Sequence, residues 1–202
     1  MENSETLFTH IATGSLNRRA AAISSRLAHK ISYKSAADME ALSDLALLLY
    51  INGDTDSAKR VCGLTDGLVF SNNFNVWSFI HSIRGLKSRI LREEGKGEQA
   101  ESIIAQIEAD HLTPGKLMDR EAKQELRLRI KNRTTYNDLA SRDKIEQAPT
   151  PAGAAAYRFS ALKSMILCRE MDGYPLIDKD KLEEGIKDYT AELLRLSAYS
   201  SN

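Results

Sequence analysis

Cysteine is scarce: Cys62 and Cys168 are the only two in 202 residues, and each lies in an apolar helical run beside Val61 or Leu167. Thiols so far apart in sequence form neither a disulfide framework nor a metal-binding spacing, so both read as small core residues. Excess charge is missing too, since 28 basic side chains balance 28 acidic ones. Without a net field the chain is not expected to gather nucleic acid or an anionic membrane surface. Long apolar runs are also lacking. The nearest approach, Leu45 to Ile51, falls well short of the ~18 uninterrupted apolar residues of a membrane helix, and no membrane partner is expected. Met1 to Ile11 carries Glu2 and Glu5 where a secretory signal carries positive charge, with no apolar core behind them. A cytoplasmic location is the expectation.

Chemical motifs are equally thin. His10, His29, His81 and His111 are scattered singly, none at helical spacing from another His or a Cys, which argues against metal ligation. No serine sits in a Gly-x-Ser-x-Gly elbow. Asn52, Asp54 and Asp56 alternate like the start of a calcium loop, but Ser57 stands in the required Gly position and Gly63 in that of the bidentate Glu. Gly95-Lys96-Gly97 lacks the spacing of a phosphate loop and the strand that precedes one. No catalytic residue, metal or cofactor is therefore expected, and the chain reads as a non-enzyme.

What is present is helical periodicity. Leu16, Ala20, Ile23 and Leu27 form one stripe, ending near Tyr33. Ser35 with Asp38 three residues on resembles a capping box and opens a helix whose Leu42, Leu45, Ala46 and Leu49 are joined by Leu47, Leu48 and Ile51. Apolar nearly all round, that helix belongs in the middle of the fold. A shorter helix runs from the Gly53 turn to about Cys62. A long one starts near Asn73 and carries Val76, Phe79, Ile80, Ile83, Leu86 and Ile90, and the next carries Ala100, Ile103, Ile104 and Ile107. Thr113-Pro114 and Thr150-Pro151 are both start signals. Between them Met118, Ala122, Leu126 and Ile130 fit a helix, while 134–151 reads as a mobile connection. After Thr150 the residues Ala155, Phe159, Leu162 and Ile166 recur at helical spacing, Asp172-Gly173 supplies a turn, and Leu182, Ile186, Tyr189, Leu193 and Leu196 form a closing seam. The seam packs either within the chain or across a homodimer.

Two turns share one design: Asn52-Gly53-Asp54 with Ala58 and Cys62 behind it, and Glu94-Gly95-Lys96 with Ala100 and Ile104. In each, a Gly ends one helix in a left-handed conformation and an Ala five residues later lets the next helix pack closely. Residues 42 to 107 thereby resemble tetratricopeptide-type repeats. Their 42-residue offset exceeds the usual ~34, and the typical Trp, Leu-Gly and closing Pro are absent, so an irregular helical-hairpin stack is the better description. The resemblance implies recognition of a protein or peptide on an exposed helical face, without chemistry. The fold expected is all-α: stacked antiparallel helical hairpins, an irregular solenoid or bundle of about seven to nine helices, in one domain over 1–202.

On the helix carrying Val76 to Ile90, a second stripe of Trp77, His81, Arg84 and Ser88 lies about 140° from the core stripe at ~100° per residue. Trp and Arg are frequent binding hot spots, so these four are the candidate partner-binding residues. The competing reading is that Trp77 packs beneath a neighbouring element. Between Lys116 and Arg133 a basic run including Arg120, Lys123, Arg127 and Arg129 fits a solvated helix face, facing an acidic counterweight at Asp178, Asp180, Glu183, Glu184 and Asp188. No aromatics interleave with it as a nucleic-acid platform would need. The function expected is protein binding, most specifically that of a bacterial immunity-type inhibitor occluding a toxin. Its rivals are a nucleic-acid-associated regulator using 116–133, and an enzyme whose site assembles between helices.

Overall fold

Helix starts in this chain are written by side chains that can cap them. In the computed structural model, which describes residues 4–15, 17–71, 73–112, 147, 150–171 and 179–199, Asn17 accepts a hydrogen bond from the Ala20 N–H and begins α2 (Arg18–His29). Ser35 accepts from the Asp38 N–H and begins α3 (Ala36–Ile51). The Asp38 carboxylate reaches back to the Ser32 N–H at 3.0 Å, one turn earlier than in the reciprocal capping box. Asp54 caps α4 (Thr55–Gly63) through the Ser57 N–H, and Asn73 caps α5 (Phe74–Glu93) through that of Asn75. Before them comes α1 (Ser4–Gly14), and after them α6 (Gly97–Leu112), α7 (Pro151–Glu170) and α8 (Lys179–Tyr199). Thr150 caps α7, with Pro151 in the first turn as the sequence predicts. The described residues hold these eight helices and no strand, so the chain is all-α.

The two glycine turns have the geometry their spacing predicts. Gly53 has φ 84° and Gly95 φ 75°. At the first, the Gly53 N–H donates to the Tyr50 carbonyl and the Asp54 N–H to that of Leu49, each at 3.0 Å. These are the paired bonds of a Schellman C-cap, which uses the left-handed residue to satisfy carbonyls at the helix end.

The sequence suggests one domain, whereas the contacts divide into two compact units, Met1–Gly95 and Lys96–Asn202. In the first, α3 is central, packing on α2, α4 and α5, while α1 packs on α2 and α4. Met39, Leu42, Leu45, Ala46, Leu47 and Leu49 are all at most 2% exposed, so α3 is covered nearly all round. Helix α1 is an addition to the reading from sequence: Leu7, Phe8 and Ile11 are buried. In the second unit α7 and α8 form an antiparallel pair. Arg158 reaches Glu192 at 2.7 Å and Arg169 reaches Glu183 at 3.0 Å. A Cβ at Gly185 would meet the Met165 sulfur at 3.0 Å, marking close approach of the two helices between these ion pairs. Helix α6 contributes Ile104 and Ile107 to a cluster with Met171, flanked by Ile103 and Leu167. The closing seam packs on α7 through Leu182, Ile186 and Leu193, so these positions are covered within the chain.

Candidate functional site

Ten residues connect α4 to α5, and the sequence gives them one glycine, Gly67, and no helical periodicity. The structure nevertheless ties this connection down. Leaving α4, the N–H groups of Leu64, Thr65, Asp66 and Leu68 donate in turn to the carbonyls of Val61, Cys62, Gly63 and Thr65, each three residues back. The Thr65 hydroxyl donates to the Cys62 carbonyl at 2.9 Å. Beyond Leu68 the chain crosses one face of α5, and that face consists of Trp77, His81 and Arg84.

Arg84 makes the principal attachment. Its Nη2 donates to the Thr65 carbonyl at 3.2 Å and to the Leu68 carbonyl at 3.0 Å, and the residue is 2% exposed. The guanidinium carbon lies 5.1 Å from the centre of the Trp77 ring, within the range of a cation–π contact. Trp77 donates from Nε1 to the Ser71 hydroxyl at 2.9 Å. Phe70 meets Trp77 edge-on, with centroids 5.2 Å apart, and stacks on His81 at 6.3 Å. Lys87, one turn beyond Arg84, pairs with Asp66. Side chains at 77, 81, 84 and 87 therefore hold residues 65, 66, 68, 70 and 71.

This corrects the expected partner-binding stripe. Trp77, His81, Arg84 and Ser88 do share a face of α5, but all four are buried. What covers Trp77, His81 and Arg84 is the chain's own connection, so the stripe is not an exposed docking face. The arrangement matches the competing reading, in which Trp77 packs beneath a neighbouring element. Sequence reasoning had no signal for the cover, since Leu64 to Asn73 has no period to place it over any helix.

The attachment leaves one apolar side chain outside. Val69, between the partly buried Leu68 carbonyl contact and Phe70, is 87% exposed. At the other end of α5, the Tyr50 hydroxyl donates to Glu93 at 2.7 Å and accepts from Arg89 Nε at 2.9 Å. Burial, helped by the bond to Glu93, pushes the Tyr50 phenol up to about 12. Lys59 joins Glu94 there. Burial likewise raises the Cys62 thiol to about 12, which keeps it in the unreactive protonated form.

Among the described residues, no group of three or more His, Cys, Asp or Glu could hold a metal ion, and no helix is long and apolar enough to cross a membrane. Asp54, first of the calcium-like acids, serves as the α4 cap. The basic run 116–133, the start signal at Thr113-Pro114, the connection 134–151 apart from residues 147, 150 and 151, and the Asp172-Gly173 turn lie outside the described residues. A family profile matches residues 1–194, and its description is a family of unknown function, DUF6707. No curated protein and no solved structure matches the chain.

Proposed function

The chain belongs to this family of unknown function, DUF6707, so its role has to be argued from its own residues, and we propose that it is a non-enzymatic protein-binding module. The observation that carries the reading is Val69, an apolar side chain 87% exposed on a connection anchored on both sides of it. A loop already fixed by Arg84 and the Trp77–Phe70–His81 cluster loses little conformational freedom when a partner covers it, and that lowers the cost of association. Trp77, His81, Arg84 and Ser88 act in this reading from beneath, as the platform that holds the presenting loop. Most specifically, the proposal is an immunity-type inhibitor whose rigid outer surface occludes a toxin. A cytoplasmic setting and the tetratricopeptide-type likeness of the glycine turns are parts of the same proposal.

The test is Val69→Asp. A substitution at so exposed a site changes stability by roughly 0.5 kcal/mol or less, whereas an aspartate at the centre of an apolar contact weakens binding by about 2 kcal/mol. Tagged wild-type and variant chains are returned to the cells that make the protein, and co-purifying proteins are compared, together with the product of the adjacent reading frame. A partner retained by the wild type and lost by the variant supports the reading. Equal retention by both chains, in the presence of a partner, removes the loop.

A further inference from the structure

Between Glu5 and Asp38 the chain has no carboxylate, yet it carries Arg18, Arg19, Arg26, Lys30 and Lys34. The charges of the whole chain balance, so the five cations of this segment are offset only by a net excess of acids elsewhere in the chain. The structure gathers three of them on α2. Arg18, Arg19, Ala22, Ser25, Arg26 and His29 are exposed and occupy about 120° of the helix wheel, opposite the buried Ala20, Ser24 and Leu27. Lys30 and Lys34, past the helix end, are exposed as well.

Folding alone does not account for this distribution. Arg18 and Arg19 stand in the first turn of α2, at the positive end of the helix dipole, where cations are disfavoured, and that turn holds no acidic residue of its own. Asn17 already caps the helix. The nearby acids belong to the interior side: Asp44 meets Arg19 at 3.1 Å and Asp38 meets Arg26 at 3.6 Å. Their side chains are 16% and 19% exposed, against 50% and 54% for the arginines. The carboxylates are recessed and the guanidinium groups project.

We infer that the outer face of α2 is a docking surface for an acidic polypeptide. The recessed Asp38 and Asp44 favour a protein over a nucleic acid. Binding to a phosphate backbone scales with the number of phosphates that cations neutralise, and here two of the five cations, Arg19 and Arg26, are already shared with carboxylates. A protein surface presents acids at discrete points, which Arg18, Lys30 and Lys34 can meet while Ala22 and Ser25 leave room between them. The inference depends on the proposed protein-binding role for the class of partner only. It uses a different face from Val69, so Val69→Asp leaves its test untouched.

The probes are fluorescein-labelled poly-L-glutamate and single-stranded oligodeoxythymidine, titrated with the full chain and followed by anisotropy. Poly-L-glutamate is expected to bind, and the triple variant Arg18→Glu, Lys30→Glu, Lys34→Glu to bind it about tenfold more weakly or worse. A control with the same charge change on other exposed cations, Arg60→Glu, Lys96→Glu, Lys187→Glu, is expected to bind like the wild type within about twofold. Arg18→Glu alone separates binding from folding: an acid in the first turn raises the thermal midpoint while binding falls. Absent poly-L-glutamate binding, equal losses in the two triple variants, or tighter binding of oligodeoxythymidine each overturns the inference. So does self-association that the α2 variant abolishes, because the occupant is then a second copy.

Discussion

Replacing Arg84 by alanine removes the main attachment of the α4–α5 connection, and the size of the effect can be worked out from its contacts. Two hydrogen bonds from a charged donor, at 3.2 Å and 3.0 Å to the carbonyls of Thr65 and Leu68, contribute ~1.5–3 kcal/mol each. The contact with the Trp77 ring adds about 1 kcal/mol. Against these, relief from burying a cation returns several kcal/mol. A net loss of about 3 kcal/mol follows, and Arg84→Lys, which keeps the charge but not the planar fork, loses about half of that. Trp77 is the only tryptophan, so its emission reports on this region alone. In Arg84→Ala the emission shifts to the red, acrylamide quenches it more readily, and the urea midpoint followed at that wavelength falls. Wild-type emission, quenching and midpoint in Arg84→Ala would refute the claim that the guanidinium holds the loop.

Three further outcomes follow from buried groups. Ser24 is fully buried and its hydroxyl has no hydrogen-bond partner, so Ser24→Ala raises the unfolding free energy by about 1 kcal/mol, measured by urea denaturation. At Gly185, where a Cβ meets the Met165 sulfur at 3.0 Å, Gly185→Leu lowers the thermal midpoint. Gly185→Ala changes it far less, because better helix propensity, worth about 1 kcal/mol, offsets the crowding. Tyr50, at about 12, holds its proton above the ordinary 10.0. The unfolded chain therefore releases that proton first as pH rises, and stability present below pH 10 is lost between about 10 and 12. Tyr50→Phe flattens this part of a stability–pH curve recorded by denaturation. An unchanged slope would sink the assignment.

The elements most legible in the sequence are those whose burial is written in local pattern. Helix α3 is apolar on every side and proves central, and Gly53 and Gly95 take the positive φ that their spacing calls for. Thr150-Pro151 starts α7 where such a pair should. Helix α2 stops at His29, short of the Tyr33 expected, with Lys30 extended. Helix α1 escapes because Leu7, Phe8 and Ile11 make a stripe only one turn long. The stripe Trp77–His81–Arg84–Ser88 is legible as a face, but the identity of what covers it depends on contacts of Arg84 with residues 16 and 19 positions away. No periodicity encodes such a pairing. The exposure of Val69 is likewise a tertiary outcome, since Leu68 and Phe70 beside it are partly covered.

The pairing of α7 with α8 fixes more than their adjacency. Arg158–Glu192 and Arg169–Glu183 sit on either side of Gly185, so they act as two pins about a pivot. One residue inserted between Glu183 and Glu192 would turn the downstream half of α8 by about 100° and carry Glu192 out of phase with Arg158 while Glu183 stayed in step. The hairpin therefore tolerates point changes on its outer surface far better than any change in the count of residues between its pins.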